Sequence, residues 1–327
     1  GRPKGISIPE LSLIPIYKYL KDILKTNVYF FRGAFDGETN KKFSHLKGGE
    51  VILLENIRFF KEETEDDQNF SNKLGSLGDI YINDAFSCSH RKQASVHNIT
   101  KFVKKCYAGP LLKKEITAIN LVLKNKKDPV TCIIGGSKIS TKINVITSLI
   151  KKVNSLIIVG AMANNFFVHK NFKIGKSLIE KNTKEIIEEI YKKAESSNCE
   201  ILIPEDCVVG TDFNGTGKNK YLDEVLDNEI ILDIGINTIK NIQKKINASN
   251  TVLWNGPAGY FENKNFSKGT LSIAENISDN TTKKSLISIL GGGDTLAAVN
   301  KSKSKLSFSH LSTAGGAFLE YLEGKDL

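Results

Sequence analysis

The chain has 327 residues, of which 40% are hydrophobic and 25% are charged, and its formal net charge is +10. These values are typical of a globular protein long enough for two domains, and no apolar run approaches the roughly 20 residues of a membrane-spanning helix. The five cysteines are widely spaced and form no C-x-x-C pair, which argues against a disulfide framework or a zinc site and favours the cytoplasm.

The positive charge alone would allow nucleic-acid binding, but its distribution is unfavourable for that function. In the segment 181–193 the lysines alternate with glutamates, as on a solvent-exposed helix. No RNP motif, zinc finger or basic helix is present. A small polyanionic substrate explains a positive field equally well. We therefore expect neither a nucleic-acid partner nor a membrane partner.

The first part of the chain alternates short apolar runs with amphipathic stretches. The pattern predicts a helix over 11–25 and strands over 27–31, 50–54 and 79–83. A long helix is predicted over 108–124, where Gly109-Pro110 is a favourable helix start. This helix is a candidate connector between two domains.

The second part is more regular, with buried strands separated by mostly helical patterns. The strands are predicted at 130–134, 155–159, 200–204, 229–234, 251–254, 285–290 and 308–312. Clear helical patterns occupy 138–151 and 238–246. Such alternation indicates a parallel sheet with crossover helices, so the expected architecture is two α/β lobes.

Four glycine-rich turns follow predicted strands in the second part. They lie at 135–138, 255–259, 291–295 and 313–316. Carboxyl ends of parallel strands share one edge of the sheet, where open α/β folds bind ligands. Glycine lets the backbone approach a phosphate, and the following helix offers unpaired N–H groups. One such turn is weak evidence, because glycine is common in these turns anyway, but four together favour phosphate binding.

The known nucleotide motifs are absent, since the chain has neither a P-loop nor a G-x-G-x-x-G. Lys138 and Lys142 are four residues apart, so on a helix they would share one face and could both reach phosphates. Asp294 beside a phosphate would be unfavourable unless Mg²⁺ lies between them. The alternative is that Asp294 is only a helix-capping residue, with Thr295 in the first turn.

Only four of the 46 basic residues are arginine, and all four lie within the first 91 residues: Arg2, Arg32, Arg58 and Arg91. A guanidinium group offers a fixed fork of donors that suits carboxylate and phosphate. The distribution suggests that the first part binds an anionic substrate and the second part binds phosphates. The alternative is codon bias in a proteome rich in lysine and asparagine, which would leave a few arginines without a shared role.

Seven segments, in order along nearly the whole chain, carry recognisable motifs: Gly1–Gly5, 53–59, 83–91, 135–143, 254–259 with 261–262, 291–295, and 312–316 with 323–325. Together they resemble the phosphoglycerate kinase family, in its bacterial form. The resemblance implies phosphoryl transfer between 1,3-bisphosphoglycerate and Mg-ADP, giving 3-phosphoglycerate and ATP. It also implies small-molecule substrates, a monomer, and transfer in line after hinge closure.

The resemblance further implies two Rossmann-like, three-layer α/β lobes with parallel sheets, joined by a long helix and a hinge. The lobe over 1–110 would bind glycerate, 111–126 would form the interdomain helix, and 127–311 would form the nucleotide-binding lobe. Residues 312–327 would form the hinge and return to the first lobe. We also expect the first lobe to be incomplete and the last helix to be cut, because the family's first strand precedes Gly-Arg-Pro.

Roles for individual residues come from the same resemblance. Substrate binding would involve Gly1, Arg2, Arg58 and Arg91, and Arg32 matches no motif. The catalytic positions would be Lys138, Gly292 and Gly315. Nucleotide binding would involve Gly135, Gly136, Lys138, Lys142, Asn255, Glu262, Gly291, Gly292, Gly293, Asp294 and Thr295. Asp294 would also position the Mg²⁺.

Departures from the family pattern leave one alternative open. Ala314 stands where many members have glycine, Gly160-Ala161 replaces a longer glycine run, and Ser87-Cys88 replaces a frequent Gly-Thr. The alternative is a catalytically impaired homologue that serves as a nucleotide-binding interaction module. The retained arginines and Asp294 argue against it, since a drifting site would lose some of them.

Overall fold

The computed structural model describes residues 1–33, 35, 41 and 43–327, and the chain divides into two compact units. Unit 1 is Gly1–Lys113 and unit 2 is Lys114–Leu327. The division falls inside the long helix that the sequence suggests as a connector, α4 (Pro110–Leu123). Each unit combines helices with parallel strands.

The described strands of unit 1 form two parallel pairs. The elements are α1 (Ile14–Ile23), β1 (Val28–Phe31), β2 (Val51–Leu54), α2 (Lys61–Thr64), α3 (Gln68–Gly75), β3 (Ile80–Asn83) and β4 (Lys105–Ala108). β1 pairs with β2, and β3 pairs with β4. The three strands predicted for this region are present, whereas β4 was missed: its last residue, Ala108, was assigned to the following helix and the rest was not assigned to any element.

Two helix starts in unit 1 differ from the sequence prediction for local reasons. The first helix begins at Ile14, with Pro15 in its first turn, and Pro9–Leu11 form a separate 3₁₀ turn. The connector begins at Pro110, two residues later than predicted. There the Asp84 carboxylate accepts hydrogen bonds from the Leu111 and Leu112 amides, at 2.6 and 2.9 Å, and so satisfies N–H groups that have no partner within the helix.

Aromatic and aliphatic side chains fill the core of unit 1. The buried members are Phe35, Phe70, Leu74, Ala94, Ile99 and Val103. The buried carboxylate of Glu63 accepts bonds from the backbone amide and hydroxyl of Ser95, at 2.9 and 2.7 Å. Burial nevertheless raises the pKa of Glu63.

Unit 2 is built on a six-stranded parallel sheet in the order β13-β12-β11-β5-β6-β7. Its strands are β5 (Val130–Ile134), β6 (Ser155–Ile158), β7 (Glu200–Leu202), β11 (Thr251–Asn255), β12 (Ile287–Gly291) and β13 (His310–Ser312). Its helices are α5 (Ile143–Ile150), α6 (Ala163–His169), α7 (Lys184–Ser196), α8 (Ile236–Asn247), α9 (Lys268–Lys284), α10 (Gly293–Val299) and α11 (Gly316–Glu323). None of the helices in the described part of the chain has the length and apolarity needed to cross a membrane.

A smaller antiparallel sheet accompanies the large one in unit 2. It contains β8 (Asp206–Gly210), β9 (Lys218–Tyr221) and β10 (Ile230–Ile234), in the order β10-β8-β9. The strand predicted at 229–234 therefore belongs to this sheet and not to the parallel one. The sequence prediction missed both β8 and β9. The short apolar run of β8 was not assigned to a strand, and the sequence of β9, KNKY, has no apolar alternation to identify it.

The core beside the parallel sheet is centred on Trp254, the only tryptophan of the chain and a fully buried one. It packs with aliphatic side chains from β5, β6, β12, α8 and α9. The indole N–H donates to the Gly256 carbonyl oxygen at 2.7 Å, so the core is tied to the turn that follows β11.

The strand order of the parallel sheet reverses between β5 and β11, and the turns after these strands touch through their backbones. A Cβ on Gly135 would lie 2.2 Å from the Pro257 carbonyl oxygen. A Cβ on Gly256, whose φ is +95°, would lie 2.3 Å from the Gly135 carbonyl oxygen. Glycine is therefore required at both positions.

We expect the substitution Gly135→Ala to destabilise unit 2 by about 1–3 kcal/mol, because the added methyl group overlaps a backbone carbonyl. Thermal unfolding followed by the fluorescence of Trp254 measures the change, since this tryptophan lies in unit 2. Gly293→Ala is the control, because open space surrounds Gly293. Equal stability of the two variants would contradict the close approach.

Candidate functional site

The four glycine-rich turns of unit 2 meet at the carboxyl edge of four adjacent strands, β5, β11, β12 and β13. Between them lies a cavity of about 360 Å³, here called the glycine cavity. Its walls come from all four turns and include Gly136, Lys138, Lys142, Asn255, Gly256, Gly292, Asp294, Thr295, Gly315 and Gly316. It adjoins the point where the strand order reverses, which is where open α/β sheets bind ligands.

Lys142 lines this cavity and links two of its turns. Its ammonium group donates to the Gly135 carbonyl oxygen at 2.5 Å and to Oδ1 of Asn255 at 2.7 Å, so it joins the turns after β5 and β11. Burial lowers the pKa of Lys142 to about 8, and the negative charge of Asp294 opposes that shift. The group is thus a cation that its surroundings only partly stabilise.

The helix predicted over 138–151 begins later than expected. The structure starts α5 at Ile143, with Lys142 as the capping residue at φ −118° and ψ 1°. Lys138 lies in the preceding loop and is exposed. The prediction that Lys138 and Lys142 share a helix face was therefore wrong, although both residues do line the glycine cavity.

Asn255 and Thr295 fix the shape of the cavity. The Asn255 amide group donates to the Gly291 carbonyl oxygen at 2.7 Å. The Thr295 hydroxyl accepts from the Gly256 amide at 2.7 Å and donates to the Gly291 carbonyl oxygen at 3.0 Å. Both side chains are buried, so they brace the turns after β11 and β12 against each other.

Glycines at the helix starts adopt backbone conformations that other residues rarely occupy. Gly292 precedes α10 with φ +101°, and a Cβ there would lie 2.8 Å from Nδ2 of Asn255. Gly315 precedes α11 with φ +56° and ψ −109°. These conformations turn the backbone into the two helices at the cavity wall, where the first N–H groups of each helix have no partner within it.

Asp294 is an exposed residue in the first turn of α10, on the wall of the glycine cavity. No group of three or more histidine, cysteine, aspartate or glutamate side chains suited to a metal occurs among the described residues. Mg²⁺ is commonly held by one or two carboxylates together with substrate phosphates and water. A single carboxylate beside a phosphate-sized cavity fits that donor set.

A second cavity of about 470 Å³, here called the apolar cavity, adjoins the first and shares Gly136, Ser137, Pro257 and Asp294 with it. Its other walls include Phe167, Leu178, Ile231, Tyr260, Phe261 and Glu262. Glu262 is exposed at this wall. A flat apolar group joined to a phosphate chain could therefore occupy the two cavities together.

In unit 1, the structure brings Arg58 against the segment that carries Arg91. Arg58 follows β2 in a 3₁₀ turn capped by Asn56, whose Oδ1 accepts from the Arg58 amide at 3.1 Å. Its guanidinium group donates to Oε1 of Gln93 at 3.4 Å and approaches Sγ of Cys88 at 3.7 Å. These contacts orient the fork of donors.

The remaining positions predicted in unit 1 lie on its surface. Gly1 and Arg2 are exposed. Their segment reaches α2, because a Cβ on Gly5 would lie 2.8 Å from Cβ of Lys61. Arg32 is exposed and stacks on the Phe30 ring at 5.2 Å, which agrees with its lack of a motif.

Sequence reasoning missed Gln93, which is buried and orients Arg58. A glutamine in a loop carries no spacing or charge signal that could have identified it. It also missed the bond between Lys142 and Asn255, residues 113 positions apart, because only the pairing of β5 with β11 brings them together.

Comparison with known proteins identifies the family of this chain. The family model described as "Phosphoglycerate kinase" matches residues 1–325. Phosphoglycerate kinases of Wolbachia pipientis and Bartonella bacilliformis are each 42% identical to the chain over 329 aligned residues. In both cases the match covers 100% of this chain and 82% of the relative.

Solved structures give the same result. Phosphoglycerate kinase from Coxiella burnetii matches with a TM-score of 0.91 and 37% identity, covering 100% of this chain and 82% of that chain. The enzyme from Pyrococcus horikoshii matches with a TM-score of 0.78 and 27% identity, covering 97% and 80%. The family match, the relatives and the two α/β units together show that this chain belongs to the phosphoglycerate kinase family.

Proposed function

We propose that this chain is a phosphotransferase that transfers a phosphoryl group between 1,3-bisphosphoglycerate and ADP, giving 3-phosphoglycerate and ATP. Membership of the family supports this reaction. The observation that carries it is the glycine cavity, where four turns, Lys142 and Asp294 surround a space suited to a phosphate chain. Nothing in the structure favours the interaction module as a second function.

The nucleotide lies across the two cavities of unit 2 in this proposal. Its phosphates occupy the glycine cavity, against Gly135, Gly136 and the turn 291–293, and its base occupies the apolar cavity. Glu262 faces the ribose. The shared wall of the two cavities supports this placement, because a base and its phosphates must be bound side by side.

Asp294 is the proposed protein ligand for Mg²⁺, together with oxygens of the nucleotide phosphates. When bound, the ion would neutralise phosphate charge. Thr295 positions Asp294 indirectly, because its two hydrogen bonds fix the first turn of α10. The single exposed carboxylate at the cavity wall supports the assignment.

Phosphoryl transfer demands placement and charge compensation more than a covalent nucleophile. We assign charge compensation at the moving phosphoryl group to Lys138 and Lys142. Backbone N–H groups at Gly292 and Gly315 lie where the helices α10 and α11 begin, and they offer further donors. Lys142 is held by two hydrogen bonds before the reaction, so little reorganisation of this group is needed during transfer.

Unit 1 is the proposed binding unit for the glycerate substrate, through Gly1, Arg2, Arg58 and Arg91. The hydrogen bond from the Arg58 guanidinium group to Gln93 supports this role. It orients the N–H donors of the guanidinium group, whose spacing matches carboxylate and phosphate oxygens. The lobe boundaries, hinge closure, a monomeric state and a cytoplasmic location remain proposals that follow from the family resemblance. The five free cysteines are consistent with a reducing compartment.

Calorimetric titration with Mg-ADP tests the nucleotide site directly. We expect saturable binding that weakens about 10-fold or more in Lys142→Ala and in Asp294→Ala, because each variant removes one charged partner of the phosphates or of their metal. Lys240→Ala, at an exposed position of α8, serves as the control. Absence of binding by the folded parent chain would refute the nucleotide site.

The pKa of Lys142 predicts a pH dependence with opposite effects on binding and on folding. As the pH rises through about 8, the ammonium group loses its proton and ADP affinity should fall. Folding stability contributed by this residue should rise over the same window, because an unfolded lysine keeps its proton up to about 10.5.

Titrations of ADP at several values between about pH 7 and pH 9.5 measure this effect. Lys142→Met should remove the pH dependence as well as part of the affinity. A parent chain and a variant with parallel pH profiles would show that another group is responsible.

The substitution Arg58→Lys should weaken binding of 3-phosphoglycerate by about 10-fold or more and leave ADP binding nearly unchanged, because lysine cannot reproduce a bidentate fork. Separate calorimetric titrations with the two ligands give the comparison. Arg32→Lys is the matched control, since Arg32 is an exposed arginine of the same unit. Equal losses for both ligands would contradict the assignment of one substrate to each unit.

A further inference from the structure

Asp233, at the carboxyl end of β10, is a buried acid with few hydrogen bonds to stabilise its ionised form. Only 2% of the residue is exposed, and its carboxylate accepts two backbone hydrogen bonds, from Gly269 at 2.7 Å and from Ile234 at 2.9 Å. Among the described residues, no lysine, arginine or histidine makes an ion pair or hydrogen bond with it. Burial accordingly raises the pKa of Asp233 to about 7.

Asp206, on the neighbouring strand β8, is a buried acid of the same unit whose carboxylate accepts more hydrogen bonds. It is also buried, but it accepts bonds from the amides of Asn237 and Thr238, from the Thr238 hydroxyl and from the Asn219 side chain. Burial opposes its ionisation, yet these donors outweigh that effect and lower the pKa of Asp206. Asp206 is therefore explained by its structural bonds, whereas Asp233 is not.

The surroundings of Asp233 connect it to the apolar cavity. The residue borders that cavity, and two glycines press against its carboxylate. A Cβ on Gly259 would lie 2.3 Å from Oδ1, and a Cβ on Gly269 would lie 2.4 Å from the same atom. Gly259 belongs to the turn after β11 that passes from the glycine cavity to the apolar cavity, and Gly269 belongs to the first turn of α9.

Other bonds hold the same turn from the same side. The Tyr260 amide donates to the Leu232 carbonyl oxygen at 2.7 Å, next to Asp233 in the chain. The amides of Ala258 and Gly259 donate to the Thr270 hydroxyl at 2.9 and 3.3 Å. The turn that lines both cavities therefore contacts β10 and the start of α9, and the Asp233 carboxyl group joins β10 to α9 by accepting the Gly269 amide.

We propose that Asp233 is a positioning residue for the nucleoside end of the nucleotide site. Its carboxylate packs directly against Gly259 and so fixes the turn 256–262, and it accepts the Gly269 amide and so fixes the start of α9. These two contacts set the width of the apolar cavity. The role rests on the proposed nucleotide site and adds to it a residue that need not touch the ligand.

The variant Asp233→Asn tests the role with almost no change in volume. An amide has one acceptor oxygen, so either the Gly269 or the Ile234 N–H loses its partner and faces an NH₂ group. We expect the Kd for ADP to rise about tenfold, while the Kd for 3-phosphoglycerate stays within about twofold of the parent value. Calorimetry with each ligand separately gives both constants without requiring turnover.

Two further variants complete the experiment. Gly259→Ala approaches the same contact from the other side and should raise the Kd for ADP in the same selective way. Asp223→Asn is the control, because it makes the same chemical change at an exposed position near β9. Thermal unfolding of each variant identifies any that fails to fold, and Gly259→Ala then provides the test if Asp233→Asn is the one that fails.

The outcomes separate this role from the function on which it rests. A parent chain that binds no ADP would overturn both. ADP binding by the parent chain with unchanged constants in Asp233→Asn and Gly259→Ala would overturn only the role of Asp233. Equal weakening for ADP and 3-phosphoglycerate would also overturn it, because a general loss of structure does not distinguish the two ligands.

Discussion

The close backbone approach between the turns after β5 and β11 is the constraint on which the site depends. Gly135 and Gly256 leave no room for a Cβ, so the backbones of the two turns lie directly against each other, with the carbonyl oxygen of Gly135 beside Gly256. That oxygen is one of the two acceptors for the Lys142 ammonium group. A side chain at either glycine would separate the strand ends and remove the place where the cation is held.

Removing the Lys142 ammonium group from water costs free energy, and its hydrogen bonds offset this cost only in part. Two neutral oxygens accept hydrogen bonds from Lys142, while Asp294, whose negative charge also favours the protonated form, is exposed. A partly buried ammonium group supported mainly by dipoles has a lowered pKa, and the pKa of Lys142 is about 8 for this reason. Phosphate oxygens would supply the negative charge that the Lys142 ammonium group lacks. The charge of this group is therefore complementary to that of the proposed ligand.

The sequence predicts the elements whose signal is local and misses those that depend on distant contacts. Buried strands such as β5 and β11 are mainly apolar runs, and the position of the glycine turns after them follows from a parallel sheet. The antiparallel strand β9 has no such pattern. The late start of α5 was missed because Lys142 is drawn towards Asn255, a contact that helical spacing cannot indicate. Gln93 was missed for the same reason, since its value lies in its contact with Arg58.

The two kinds of basic residue now have distinct physical explanations. Arg58 is fixed by contacts to its guanidinium group, which suits a substrate that must be gripped in one orientation. Lys142 is a point charge with a pKa of about 8, which suits a group whose charge is completed by the ligand. An arginine at 142 would remain charged at any physiological pH, whereas the charge of Lys142 falls as the pH rises through about 8. The scarcity of arginine in unit 2 is compatible with the chemistry of the glycine cavity, where Lys142 provides a compact cation.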